Sequence, residues 1–224
     1  MPDATASVPL SAQLIHLAAA VMLLLSFAML AQRRLVSLVN LFAAQGATLV
    51  GSTLVVAYST GQHELYLSAA VTSIKVVLLP YVLHRLIRRL SLQWDTETLV
   101  NIPTTMLIGL GVVIFAFGLA QPLSELASTV TRSTLGIAMA VVLLSFLMMI
   151  TRRKAISQVI GFLAMENGLF FAATSATYGM PMVVELGILL DVLVGAFIFG
   201  IFFFHIREQF ESLELSHLES LKED

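Results

Sequence analysis

The sequence contains no cysteine. That excludes disulfides, thiolate nucleophiles and cysteine-held iron–sulfur or zinc sites. Charge is scarce too: Asp, Glu, Lys and Arg make up 12% of the 224 residues, against about 25% in a soluble domain. The formal net charge of −2 gives no sign of nucleic-acid binding. There is no nucleophile elbow, no phosphate-cradling glycine loop and no metal-ligand cluster. No soluble domain is large enough to hold an active site. The chain is therefore expected to be non-catalytic, with no cofactor or metal of its own.

Apolar residues are abundant, at 58% of the chain, and the mean hydropathy is +0.93. Apolar runs of about 20 residues recur throughout, the length a helix needs to cross the hydrocarbon core. A transmembrane barrel would alternate polar and apolar residues in shorter segments, and these runs do not alternate. The expectation is an all-α polytopic membrane protein. Seven spans are predicted, at about 10–31, 36–59, 65–87, 101–120, 133–151, 157–177 and 181–205. The start, "MPDATASVPLSAQ", has no positive n-region, so the first run reads as a retained helix and not a cleaved signal.

Positive charge is segregated. Arg33 and Arg34 follow the first span, Arg85, Arg88 and Arg89 the third, Arg152, Arg153 and Lys154 the fifth, and Arg207 the seventh. With seven crossings all fall on one face, while the other carries Asp3, Glu64, Glu125 and the single Arg132. The positive-inside rule then puts the N-terminus outside and the C-terminus in the cytoplasm.

An internal repeat is visible, with chance likeness between apolar helices as the rival reading. "LLSFAMLAQRR" (24–34) resembles "LLSFLMMITRR" (143–153), and each leads through a basic loop to a second helix, a short turn and a third. With a small gap, Gln45 corresponds to Glu166, and Lys75 to Asp191. The units, about 10–89 and 133–205, begin four spans apart, an even number, so their topology is parallel. The span at about 101–120 links them, and residues 1–205 form one membrane domain. Beyond it, Ile206, Phe210, Leu213, His217 and Leu221 recur at helical spacing with acids between them. Residues 206–224 thus read as an amphipathic cytoplasmic helix, either a solvated helix end or a docking strip.

The chemistry is expected at ionisable groups inside apolar runs. "QVIGFLAMENGLFFAATSA" (158–176) holds Glu166, "MPMVVELGILLDVLVGAFIFGIFFF" (180–204) holds Glu185 and Asp191, and the third span holds Lys75. Counting from the nearest turns, Glu166, Asp191 and Lys75 lie roughly 18 Å from the external surface, near the bilayer middle, and Glu185 lies at about 10 Å. A charge at that depth costs at least about 2.5–3.5 kcal/mol. Each group must therefore face protein or water. One reading is structural, with Lys75 paired to a carboxylate as a clamp between helices. The other is a proton or ion relay, since desolvation and a neighbouring cation act in opposite senses on a buried acid and together leave it able to exchange protons near neutral pH. Glu185 and Asp191 lie about 240° apart around their helix, which suits sites at staggered depths better than one compact metal site. Pro80 is expected to loosen the third span one turn past Lys75, and the glycines at 161, 168, 187, 195 and 200 to mark close helix packing.

The stretches "GFLAMENGLFF", "VVELGILLDVLVG" and "LYLSAAVTSIKVVLLPYVL" together resemble the E component of hydrogenase 4, a membrane subunit of group 4 nickel–iron hydrogenases and formate hydrogenlyases. The likeness covers most of the chain. The second half of that family is similar to the small three-helix subunit of respiratory complex I. The resemblance implies a second-helix acid role for Glu166 and a third-helix role for Glu185, and matches Lys75 and Asp191 to residues of the hydrogenase subunit. It implies partners as well: antiporter-like membrane subunits, a quinone-pocket-like subunit and soluble nickel–iron and iron–sulfur subunits, in the inner membrane of a bacterium or archaeon. The expected function is a subunit of a redox-driven proton-translocating complex. A free-standing ion-coupled transporter and a structural or assembly subunit are the alternatives.

Overall fold

A computed structural model describes residues 9–89, 98–124 and 129–177. The seventh predicted span, Glu185, Asp191 and the amphipathic tail lie outside the described residues.

The described residues form six helices: α1 (Leu10–Ala31), α2 (Leu35–Thr60), α3 (His63–Arg89), α4 (Ile102–Ser124), α5 (Thr129–Thr151) and α6 (Ala155–Thr177). All six are long and apolar enough to cross a membrane. At 1.5 Å per residue the shortest is about 33 Å long, which matches the hydrocarbon core. Among the described residues there is no strand; the one β-type contact is an isolated bridge between Thr98 and Arg152.

Boundaries follow local chemistry. Gly61 closes α2 in the left-handed region (φ 68°), and its N–H donates to the Ala57 carbonyl at 2.9 Å. A residue with a Cβ would be strained there, so glycine permits the immediate reversal into α3. Pro103 falls in the first turn of α4, where a missing N–H costs nothing. Two prolines lie deeper. α4 continues through Pro122, past the predicted end of its span, and α3 runs unbroken through Pro80. Proline removes one backbone bond but keeps a helical φ, and a membrane helix held by its neighbours tolerates the loss.

Packing divides the helices into a ring and two flanks. α1 packs on α2, α2 on α6, α6 on α5 and α5 on α1. Inside lie Ala19, Met22, Phe42, Leu49, Leu144, Leu163 and Phe171, each 2% exposed or less. α3 leans on α2 alone among the described helices, and α4 on α5 and α1. Their outer faces expose Ile74, Val77, Leu107 and Ile114, the pattern of helices bordering lipid. α5 and α6 pack closely. A Cβ added to Gly161 would meet Met149 Cγ at 2.8 Å, and one on Gly168 would meet Val141 Cγ1 at 2.9 Å. Two glycines seven residues apart on one face thus let the backbones approach, as expected.

The basic turns collect at one end of the bundle. Arg152 follows α5 and is 1% exposed, yet its Nη2 donates to the Met29 and Leu30 carbonyls at the end of α1, at 3.2 and 2.8 Å. Those carbonyls are among the four that a helix end leaves without an internal donor, and the negative end of the helix dipole favours a cation. Burial lowers the Arg152 guanidinium to about 10, still protonated at neutral pH. Its own carbonyl accepts from Gln158 Nε2 at 2.8 Å, and the Leu99 N–H donates to Thr151 at 2.8 Å. The start of α4, the end of α1 and the α5–α6 turn therefore meet at the same end.

Candidate functional site

Glu166 is the midpoint residue of α6 and is 2% exposed. Lys75, near the midpoint of α3, extends its ammonium to 3.0 Å from Glu166 Oε1. The two atoms touch without the alignment of a full hydrogen bond, so charge holds them together. α3 and α6 do not pack against one another. The long apolar stem of lysine spans that gap while its head reaches the carboxylate. The arrangement meets the requirement set by depth: two charges near the middle of a membrane-length bundle face protein and not lipid.

A chain of uncharged polar groups begins at the next residue. Asn167 Nδ2 donates to Gln45 Oε1 at 3.4 Å, Gln45 Nε2 donates to Ser26 Oγ at 3.1 Å, and Ser26 Oγ donates to the Met22 carbonyl at 2.9 Å. All three side chains are buried, at 1%, 0% and 5% exposure. Asn167 Oδ1 has no hydrogen-bond partner among the described residues. Along their helices, Glu166 lies about 16 Å, Gln45 about 15 Å and Ser26 about 8 Å from the basic end. The chain thus starts beside the ion pair and descends toward the arginines, crossing from α6 through α2 to α1. Amides hold fixed hydrogen bonds well but exchange protons poorly, so Gln45 and Asn167 suit positioning better than transfer.

Of the four expected site residues, Lys75 and Glu166 are brought together, and Glu185 and Asp191 are outside the described residues. The sequence reading passed over Asn167 and Ser26, although both carried a signal. Asn167 is the residue after Glu166 in "LAMENGLF", and Ser26 belongs to the repeated "LLSF". Ser145, in the second "LLSF", donates to the Val141 carbonyl at 2.8 Å, the same bond to the fourth preceding residue that Ser26 makes. Among the described residues no three His, Asp or Glu side chains gather to hold a metal.

No protein-family model and no solved structure matches the chain. It is 33% identical over 212 residues to "Uncharacterized protein Rv0085" of Mycobacterium tuberculosis, across 94% of this chain and 96% of that protein. The chain belongs to that protein's family. It is also similar to hydrogenase-4 component E of Escherichia coli K12, 24% identical over 183 residues, covering 81% of this chain and 84% of the component. The component from Shigella flexneri gives the same identity and coverage. This similarity, with six membrane-length helices, fits a membrane subunit of a larger complex.

Proposed function

We propose that the chain is a non-catalytic membrane subunit of a redox-driven, proton-translocating complex of the hydrogenase-4 and complex I type. Glu166 and Lys75, together with Glu185 and Asp191, contribute to its proton pathway. The buried 3.0 Å pair between Lys75 and Glu166 carries the reading. A proton-exchanging acid deep in a membrane needs shelter from lipid and a partner for its charged state, and it has both. Intramembrane ionisable groups mark ion pathways by default, and the likeness to hydrogenase-4 component E supports the assignment.

The full arrangement has seven spans, the last at about 181–205, in two parallel three-helix units. The packing of α1 on α5 and of α2 on α6 supports a pseudo-twofold relation, because residues near such an axis meet their counterparts. Gln45, the counterpart of Glu166, touches the adjacent Asn167. The basic end is cytoplasmic, the N-terminus lies outside, and the membrane is the inner membrane of a bacterium or archaeon.

A structural reading has its own support: α3 makes no helix contact with α6, so the ion pair ties them across a gap. Lys75→Met separates the two. A clamp leaves a carboxylate buried without its cation, and assembly falls. A relay member leaves assembly intact while ion coupling falls. Normal assembly with normal coupling would contradict both. Gentle detergent extraction and sizing then decides against a free-standing transporter, with a large assembly bearing iron–sulfur colour as the expected result. A lone or dimeric 224-residue chain would oppose membership of a complex.

A further inference from the structure

α3 carries a face that the proton pathway does not use. At 100° per residue, Ile74, Leu78, Tyr81, Arg85 and Arg88 fall within a sector of about 80°. Lys75 is turned roughly a quarter-turn away from them, and the buried Leu65, Leu79 and Leu83 lie on the opposite side, toward α2. The face is apolar along the bilayer and cationic at its end. Ile74, Leu78 and Tyr81 are 64%, 41% and 60% exposed, and the arginines stand at the close of the spanning segment.

That close is a groove of about 420 Å³ lined by Tyr81, His84, Arg85 and Arg88, within the roughly 300–1,000 Å³ range of small-molecule sites. Three of its side chains are held by hydrogen bonds within α3. Arg85 Nη1 donates to the Tyr81 hydroxyl oxygen at 3.3 Å, which leaves the Tyr81 O–H to donate elsewhere. The His84 ring is fixed by Nδ1, which donates to the Pro80 carbonyl at 2.8 Å. The groove therefore offers hydrogen-bond donors and two fixed positive charges. Among the described residues the carboxylates are Glu64 and Glu166, and neither lines it.

The geometry points to a site for an anionic phospholipid, its phosphate on Arg85, Arg88 and the Tyr81 hydroxyl and its acyl chain along Tyr81, Leu78 and Ile74. Phosphate geometry suits guanidinium groups, which donate in pairs. A membrane surface rich in anionic lipid draws juxtamembrane cations. The continuous apolar stripe beyond the arginines distinguishes a lipid from free phosphate.

The test is native mass spectrometry of the full chain released from nanodiscs holding phosphatidylglycerol and phosphatidylcholine in equal amounts, alongside protein given inorganic phosphate alone. The expected result is retention of phosphatidylglycerol over phosphatidylcholine, no retained phosphate, and at least about tenfold weaker retention in Arg85→Gln/Arg88→Gln. The milder Arg88→Gln should fall between them. Arg33→Gln/Arg34→Gln, at the same end but off this face, should leave retention unchanged. Equal retention of both lipids, an Arg33/Arg34 variant as weak as the α3 variants, or retention that survives the double α3 substitution overturns the site. Phosphate bound as well as the lipid would overturn the role of the apolar stripe.

Discussion

α6 and α3 each contribute one charge to the same ion pair, yet they are built differently. Of the spanning segment of α6, 56% is buried within the protein, against 33% for α3. α6 lies in the ring, with Gly161 and Gly168 pressed on α5 and Asn167 bonded to α2. α3 has one described neighbour and turns Ile74 and Val77 outward. The acid is placed by a helix packed against α5 and α2, whereas the base arrives on a long flexible stem from the edge. A short side chain such as Glu166 must be positioned by its own helix; lysine reaches several ångströms beyond its backbone and can come from a helix that packs elsewhere.

If ring and flank differ as described, identical substitutions have unequal effects. Gly168→Leu should have the largest. Even a Cβ there meets Val141 at 2.9 Å and the Val142 backbone nitrogen at 3.3 Å, and overpacking on that scale costs about 3 kcal/mol. The expected outcome is loss of monodisperse protein in detergent. Gly118→Leu on α4 enters open space and should leave yield unchanged; equal damage at both positions would erase the distinction between ring and flank.

Arg152→Met comes next. It removes the guanidinium from two carbonyls at the end of α1, of which Met29 keeps the Gln32 N–H, at about 2 kcal/mol, read as a lower thermal midpoint. Its exposed neighbour Arg153, changed to Met, should move the midpoint little. Position in the chain made both arginines look like topology signals, and that much was legible. A guanidinium buried against α1 was not, because its partners lie more than a hundred residues away and are main-chain atoms without a sequence signature.

The same limit applied at the site. Lys75 and Glu166 stood out in sequence because charge in an apolar run is costly wherever it falls. A carboxylate partner for Lys75 is one reading of the sequence; that the partner is Glu166 was not legible, because which helices meet is set by packing around the ring. The expected repeat sets Lys75 opposite Asp191 and Gln45 opposite Glu166 as counterparts; it says nothing of which groups touch. Helix positions were read within a few residues, since hydrophobic length is a local property. The end of α4 and the start of α5 extend beyond the expected spans, because the backbone stays helical through Gln121, Pro122 and Thr129–Thr131 although polar residues and proline lower the local hydropathy.

A smaller effect is expected along the polar chain. Gln45→Leu removes the bonds to Ser26 and Asn167 and should lower stability by about 1 kcal/mol, near the range for hydrogen bonds between membrane helices. In a double-mutant cycle with Asn167→Leu, coupling between the positions should be measurable; strict additivity would mean that the 3.4 Å contact contributes nothing. At the bottom of the scale, Gly111→Ala on α4 meets nothing within 4 Å and should raise the thermal midpoint slightly, since alanine is the better helix former.

Glu166 joins the buried ring to the reaching flank, and its proton defines the proposed role. The direct measurement is pH-gradient formation by inverted membrane vesicles carrying Glu166→Gln, with the abundance of the assembled complex determined in the same preparation. Glutamine keeps the size and hydrogen-bonding capacity of the side chain but cannot exchange a proton in this pH range. The account predicts normal assembly, loss of the gradient driven by electron transfer, and partial recovery in Glu166→Asp. A full gradient from Glu166→Gln at normal abundance would contradict it and leave Glu166 as a structural acid.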